Sequence, residues 1–281
     1  MAYLRHTLLP SFYPRFWFKT ALHLVIPGGY GYIRKLRKMQ DANYQHERDK
    51  HEVRLKHHGE GGWKSEKEGD LLKRDYSSYD EYVTHQQQKL DEMLKMKGGF
   101  SNWDICEYRL KFYSRFKHLT QLLSRDAVIL CSGARQGTEV EVLHDLGFFN
   151  AYGIDLNPGP DNRIVRAGDF MKLQEKENSI DMLYTNCVDH AFDLEAMMRE
   201  HARVLKPEGF LLYDMGTNME QGAGGPFEAV SWDHTEDLVI QLLHRFEKLI
   251  RAERDENFGG AWLWVLLQKK KHQETSPDIS H

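Results

Sequence analysis

The stretch Ala127 to Gly137, AVILCSGARQG, constrains the fold more than any other part of the chain. Ala127 to Cys131 is apolar at every position, so it reads as a strand buried on both faces, without alternation between core and solvent. Ser132 to Gly137 then carries Gly133 and Gly137, which read as a tight turn opening a helix. A buried strand running into a glycine-bearing turn and a helix belongs to an open α/β sheet. In such sheets that turn is the corner that handles phosphate- and nucleotide-like ligands.

The rest of the chain supplies the sheet. A helix is expected over Thr138–Leu146, with Val140, Leu143 and Leu146 inward and Gly147 at its stop. Strands are expected at Ala151–Ile154, ending in Asp155, and at Arg163–Ala167, ending near Asp169. Two more are expected at Ile180–Thr185, ending in Asn186, and at Phe210–Tyr213, ending at Asp214. Helices at Leu194–Leu205 and Thr235–Leu243 alternate with them, and Phe246–Glu253 with Ala261–Gln268 reads as a closing pair that an antiparallel arrangement would suit. This alternation predicts a doubly wound, mostly parallel seven-stranded sheet of Rossmann-like type, with ligands at the C-terminal strand ends near the topological switch point.

Two helices precede the sheet. The first spans Ser77–Lys97, with Ser78 as cap, Asp80 and Glu81 in its first turn, and Tyr79, Tyr82 and Gln86 on one face. The second, Trp103–Leu123, places Tyr108, Phe112, Phe116, Leu119 and Leu123 on an apolar face that should lie against the sheet. Residues 41–75 are dense in charge of both signs and read as a solvated helix and then a flexible linker. The organisation is thus a basic, aromatic extension with its linker at 1–75, a sheet domain at 76–268 and a tail at 269–281.

Charge is unevenly spread. The chain carries 38 Lys/Arg and 42 Asp/Glu, but residues 1–40 hold seven basic residues and no acid. Aromatics such as Phe12, Phe16, Trp17 and Tyr30 are interleaved with them, a pattern suited to an anionic membrane surface. The acidic remainder would repel phosphate backbones, which makes nucleic acid a poor partner. Three cysteines (Cys106, Cys131, Cys187) in no metal- or disulfide-forming pattern suggest reduced thiols and a cytoplasmic setting. No run of about 18 apolar residues spans a bilayer, so peripheral attachment is the expected membrane mode.

Asp155 lies 22 positions after Gly133 at a strand tip, where a carboxylate can accept from both ribose hydroxyls. The dinucleotide fingerprint would need glycine where Arg135 and Thr138 stand. The Gly133–Arg135–Gly137 spacing instead resembles the GxGxG turn of class I S-adenosylmethionine-dependent methyltransferases. Ile180–Asn186 followed by a helix and Arg203-Val-Leu-Lys-Pro-Glu-Gly209 resembles the same family's fourth strand and "RvLkPgG" turn, in which Pro207 stops the helix and Gly209 permits reversal. Residues 100–268 are thereby similar to a type 11-like methyltransferase domain.

That resemblance implies S-adenosyl-L-methionine as cofactor and assigns residues to it. Gly133, Arg135 and Gly137 would wrap its methionine and ribose, and Asp155 would hold the ribose hydroxyls with Leu156 beside the adenine. Asp169 would accept from the adenine amino group with Phe170 stacking nearby, and Asn186 and Cys187 would line the sulfonium. The family usually has an acidic residue where Cys131 stands. Tyr82 and Gln86 could compensate by closing over the methionine carboxylate.

Methyl transfer to a hydroxyl also needs a base near neutral pKa. His190, with Asp189, follows the fourth strand near where the methyl should project, and His234, Asp233 and Asp214 stand in reserve. No ligand spacing demands a metal, although Asp189 with Asp214 would be the pair to hold one. The glycine-rich Glu220–Gly225 suits an acceptor-side lid. The function expected is O-methylation of a glycan or glycolipid-like acceptor near a membrane. A small hydroxylated or amine metabolite is the second acceptor class, and a degenerate binding module, suggested by Cys131 and Arg135, is the non-enzymatic alternative.

Overall fold

The computed structural model describes residues 66–68, 71–97, 102–159, 161–216, 227–232, 234–246, 248–255 and 262–270. The basic aromatic segment 1–40, Asp233 and the loop Glu220–Gly225 lie outside the described residues, as does the tail beyond residue 270.

Strands β1 (Glu66–Glu68) and β2 (Leu71–Lys73) are followed by helices α1 (Tyr79–Lys97) and α2 (Asn102–Phe116), the latter extended by a 3-10 turn, Lys117–Gln121. The buried stretch forms β3 (Ile129–Ser132), and α3 (Thr138–Asp145), β4 (Ala151–Asp155), β5 (Val165–Ala167) and β6 (Ile180–Thr185) follow. After them come α4 (Leu194–Val204), β7 (Leu205–Gly216), β8 (Val230–Trp232), α5 (Thr235–Arg245), β9 (Lys248–Asp255) and β10 (Trp262–Gln268). The main sheet has seven strands in the order β5-β4-β3-β6-β7-β10-β9. Its first five strands are parallel, and β10 runs antiparallel to both its neighbours. The chain winds outward from β3 through β4 to β5, then restarts on the other side at β6. The switch point therefore lies between β3 and β6, within the stretch Ala127–Gly137.

The sheet is covered on both faces because adjacent side chains point in opposite directions. Ile129, Cys131, Met182, Tyr184, Leu212, Trp264 and Leu266 pack with Phe112, Phe116 and Leu119 of the α2 segment and Val140 and Leu143 of α3. Their neighbours Leu130, Leu183, Leu211, Tyr213, Val265 and Leu267 pack with Met197, Met198 and Val204 of α4 and Leu238 and Leu242 of α5. The apolar spacing in both flanking helices thus does what it predicts, and burial on this scale is the main stabilising term of the fold. The α1 cap is as expected, with the Ser78 hydroxyl accepting from the Glu81 amide at 3.2 Å.

Two expectations are corrected. The flexible linker contains β1 and β2, which pair with each other, and β2 also pairs with β8 to make a three-stranded antiparallel sheet. Three-residue strands carry too little periodicity to stand out from charged surroundings. The RVLKPEG segment does not end in a simple reversal either. Leu205 already pairs with Ile180, and Phe210 pairs with Met182, so residues 206–209 bulge out of an unbroken β7. Gly209 is required there because a Cβ would sit 2.9 Å from the Lys206 carbonyl oxygen and 3.1 Å from that of Asp181. Among the described residues no helix is long and apolar enough to cross a membrane.

Gly153 in β4 leaves no room for a methyl group: a Cβ there would lie 2.6 Å from the Ala134 Cβ in the turn. Gly153→Ala should therefore push the turn off β4 and lower stability by about 1–3 kcal/mol in urea unfolding, whereas an unchanged midpoint would show that the turn is not seated there.

Candidate active site

The turn after β3 is held by backbone hydrogen bonds. The amides of Gly133 and Ala134 both donate to the Ile154 carbonyl at 2.9 Å, and the Gly137 amide donates to Ala134 at 2.7 Å. Gly133, Arg135 and Gly137 have φ of 75°, 46° and 91°, the left-handed region that glycine tolerates and arginine rarely adopts. Gly133 also lies against Cys187, whose Sγ would be 2.8 Å from a Cβ at that position. The Asp155 carboxylate joins the turn directly, accepting from the Arg135 amide at 2.8 Å and from the Asn157 amide at 2.9 Å. An ionised carboxylate offers about four acceptor positions, so capacity remains for two hydroxyls.

Gly133, Arg135 and Cys187 line two clefts. One also holds Thr138, Glu139 and Asn186 and is walled by Ile105, Tyr108 and Phe112 of α2. The other holds Asp155, Leu156, Asn157, Phe170, Tyr82, Gln86 and His190. Asp155, Leu156, Phe170 and Asn186 thus meet around the turn as expected. Gly137 and Asp169 line neither cleft. Gly137 is the N-cap of α3, packed on Ile164 and Val165, and Asp169 accepts from the Tyr79 hydroxyl and from the Met171 amide.

Tyr82 and Gln86 line the Asp155 cleft, and their polar ends are taken by backbone carbonyls. The Tyr82 hydroxyl donates to His190 at 3.0 Å, and the Gln86 amide donates to Phe227 at 2.7 Å. The helix that walls the Asn186 cleft is α2, not α1.

The Phe227 carbonyl also receives a hydrogen bond from His190 Nδ1 at 3.0 Å. A carbonyl only accepts, so Nδ1 carries the proton and Nε2 is the basic atom of the neutral ring. Nε2 faces the Asp189 carboxylate at 3.8 Å. No metal was expected; Asp189, His190 and Glu228 nevertheless place one ligand atom each within 4.8 Å of one another, a closer candidate set for a divalent cation than Asp189 with Asp214. Arg74 brings positive charge to the same place, with an electrostatic interaction to Glu228.

Asp214, a reserve base in the sequence reading, belongs to a buried charge cluster. Its Oδ2 lies 3.3 Å from Lys111 Nζ and 3.3 Å from Arg115 Nε, and it accepts from the Tyr184 hydroxyl. Arg115 bridges onward to Asp255 at 2.6 Å. His234 is exposed at the start of α5. Three groups escaped the sequence reading. Lys111 is 2% exposed and burial lowers its pKa. His201 bonds Tyr213 and Ser132 in the core, where burial brings its pKa down to about 3 and keeps it neutral. Glu139 is 5% exposed, and burial pushes its pKa up to about 8. An acid in a first helical turn reads as ordinary dipole complementarity, so its sequence position did not betray it.

Residues 130–213 match a family model described as a methyltransferase domain. Residues 130–213 thus carry a methyltransferase domain of the S-adenosylmethionine-dependent kind. No curated protein matches the chain in sequence. Among solved structures, the Burkholderia thailandensis 1,6-didemethyltoxoflavin-N1-methyltransferase, determined with 1,6-didemethyltoxoflavin and S-adenosylhomocysteine, has a TM-score of 0.53 at 15% identity. The likeness covers 72% of this chain and 95% of that one and bears on the methyltransferase fold alone. A possible histamine N-methyltransferase from Thermotoga maritima has a TM-score of 0.47 at 16% identity, over 67% of this chain and 100% of that one.

Glu139 makes stability depend on pH in a definite direction. It holds its proton near neutrality when folded and ionises near its ordinary value of 4.5 when unfolded. Its contribution is therefore full below about pH 4.5 and declines as pH rises toward 8. Glu139→Gln should lose less stability than the wild type between those limits in urea titrations, and an equal or steeper decline would contradict the assignment.

Proposed function

We propose that the methyltransferase acts on a hydroxyl oxygen, with His190 as general base and Asp189 steadying its imidazolium. The observation that carries this reading is the tautomer of His190: Nδ1–H is committed to the Phe227 carbonyl, which leaves Nε2 as the proton acceptor beside the cofactor cleft. Methyl transfer is an in-line displacement at a sulfonium. When bound, S-adenosylmethionine supplies the methyl group and the leaving group. Gly133, Arg135, Asp155, Leu156, Phe170 and Asn186 would hold it, with Tyr82 and Gln86 closing one side, while Asp169 and Gly137, which line neither cleft, would brace the residues around them. His190 takes the hydroxyl proton as the oxygen attacks.

The acceptor class proposed is a glycan or glycolipid-like molecule met at a membrane surface. Support comes from the aromatic group Tyr76, Tyr79, Tyr82 and Phe192, whose ring centroids lie 5.3–6.0 Å apart beside the Asp155 cleft and suit the apolar face of a sugar ring. The basic, aromatic composition of residues 1–40 adds the membrane part. A compact hydroxylated or amine metabolite is the second reading, favoured by the enclosed position of His190, whose side chain is 11% exposed.

His190→Ala should lower kcat by about 10²–10⁴-fold with S-adenosylmethionine affinity retained, and unchanged turnover would reject the base. Full-length protein should co-sediment with anionic vesicles and lose that binding at high salt or without residues 1–40; equal recovery of the truncated chain would reject the membrane-surface reading.

A further inference from the structure

We propose that Glu139 supplies the acidic partner for the cofactor's α-ammonium that position 131 lacks, and that the cleft it lines with Arg135 and Asn186 takes the zwitterionic methionine end. The proposal rests on S-adenosylmethionine being the ligand of the turn. The sulfur of Cys131 cannot take that role, because the residue is wholly buried and its thiol is pushed up by burial and by Glu139. Glu139 sits two residues beyond Gly137, at the second position of α3, and faces the cleft on the α2 side of the turn.

The two clefts differ in chemistry. The Glu139 cleft offers one acid and one base, Glu139 and Arg135, together with the Asn186 amide. That is the complement of a group carrying both an ammonium and a carboxylate. The Asp155 cleft offers a carboxylate flanked by Leu156 and Phe170, which suits a ribose and a flat base. The turn residues Gly133 and Arg135 are common to both, so a ligand spanning them is oriented with its methionine end toward α2 and its adenosine end toward α1.

The charge state of Glu139 follows from its neighbours. Arg135 on the turn and Lys111 on α2 favour its ionised form, and Asp155 on β4 opposes it. The Cys131 thiol on β3 and the Tyr184 hydroxyl on β6 also face it, and both stay protonated. Burial outweighs these and keeps Glu139 a neutral acid near pH 7 in the ligand-free site. An arriving ammonium favours the carboxylate. The acid O–H bond then breaks, its proton passes to the buffer, and the ammonium keeps its three protons while donating to the new carboxylate.

The test is calorimetric titration of the full-length protein at about pH 6.5, where an α-ammonium is fully protonated. Two ligands are compared: S-adenosylhomocysteine, and 5′-methylthioadenosine, which lacks the amino-acid end. The wild type should release about one proton per S-adenosylhomocysteine, read from buffers of different ionisation enthalpy. Glu139→Gln should abolish that release and weaken S-adenosylhomocysteine about 10- to 100-fold. Its affinity for 5′-methylthioadenosine should stay within about twofold, which also shows that the variant is folded. Retained S-adenosylhomocysteine affinity in the variant, or equal loss of both ligands, would overturn the role of Glu139. A wild type that binds neither ligand would overturn the cofactor reading itself and this proposal with it.

Discussion

The structure depends on how closely the turn at Gly133–Gly137 is pressed onto the neighbouring strand. Two turn amides share one carbonyl of β4, a third is taken by the Asp155 carboxylate, and Gly153 leaves no space between strand and turn. Left-handed φ values at three alternate positions keep the chain from relaxing into a wider loop. A rigid rim at the C-terminal edge of β3 results, bounded by Asp155 on one side and by Cys187 and Asn186 on the other. The two clefts exist because of that rim. The sheet beneath serves chiefly to bring the tips of β3, β4 and β6 together at the switch point.

Under the rim lies an unusual amount of buried polarity. On the α2 face, Lys111, Arg115, Tyr184 and Asp214 form one cluster. On the other face, Tyr213, His201 and Ser132 form a neutral hydrogen-bonded chain. Buried ion pairs seldom add net stability, since desolvation offsets their attraction. The first reaches the ends of β6 and β7 and the second those of β3 and β7, so together their effect is to fix the strand tips that carry the site. Asp214 belongs to this support, not to the acceptor side, because it is fully buried and its Oδ2 is held by two cations and a phenol.

Much of this was legible in the sequence. Wherever an element was long and buried on one face, its spacing located it: Phe112, Phe116 and Leu119 in the α2 segment, Met197, Met198 and Val204 in α4, and the unbroken apolar run of β3. The order of strands carried the switch point, and with it the grouping of Gly133, Asp155, Phe170 and Asn186. Elements with little periodicity were hidden. Strands β1 and β2 are three residues each and are held in a sheet through the pairing of β2 with β8, some 160 positions away. The bulge in β7 replaced an expected reversal because local residue types show where a helix must stop but not how far the next strand already extends. Facing side chains from different elements were also out of reach. Glu139 and Lys111 acquire their unusual environments only when α2 and α3 pack together, and the contact of His190 with Asp189 depends on the 3-10 turn after β6.

The assignment of S-adenosylmethionine to the turn is tested most directly by measuring its affinity for wild type and Asp155→Ala by isothermal titration, with thermal unfolding to show that the variant is folded. Because Asp155 both anchors the turn and offers the acceptors for a ribose, the wild type should bind the cofactor and the variant should bind at least about tenfold more weakly. A wild type without detectable binding, or a folded variant that binds equally well, would contradict it.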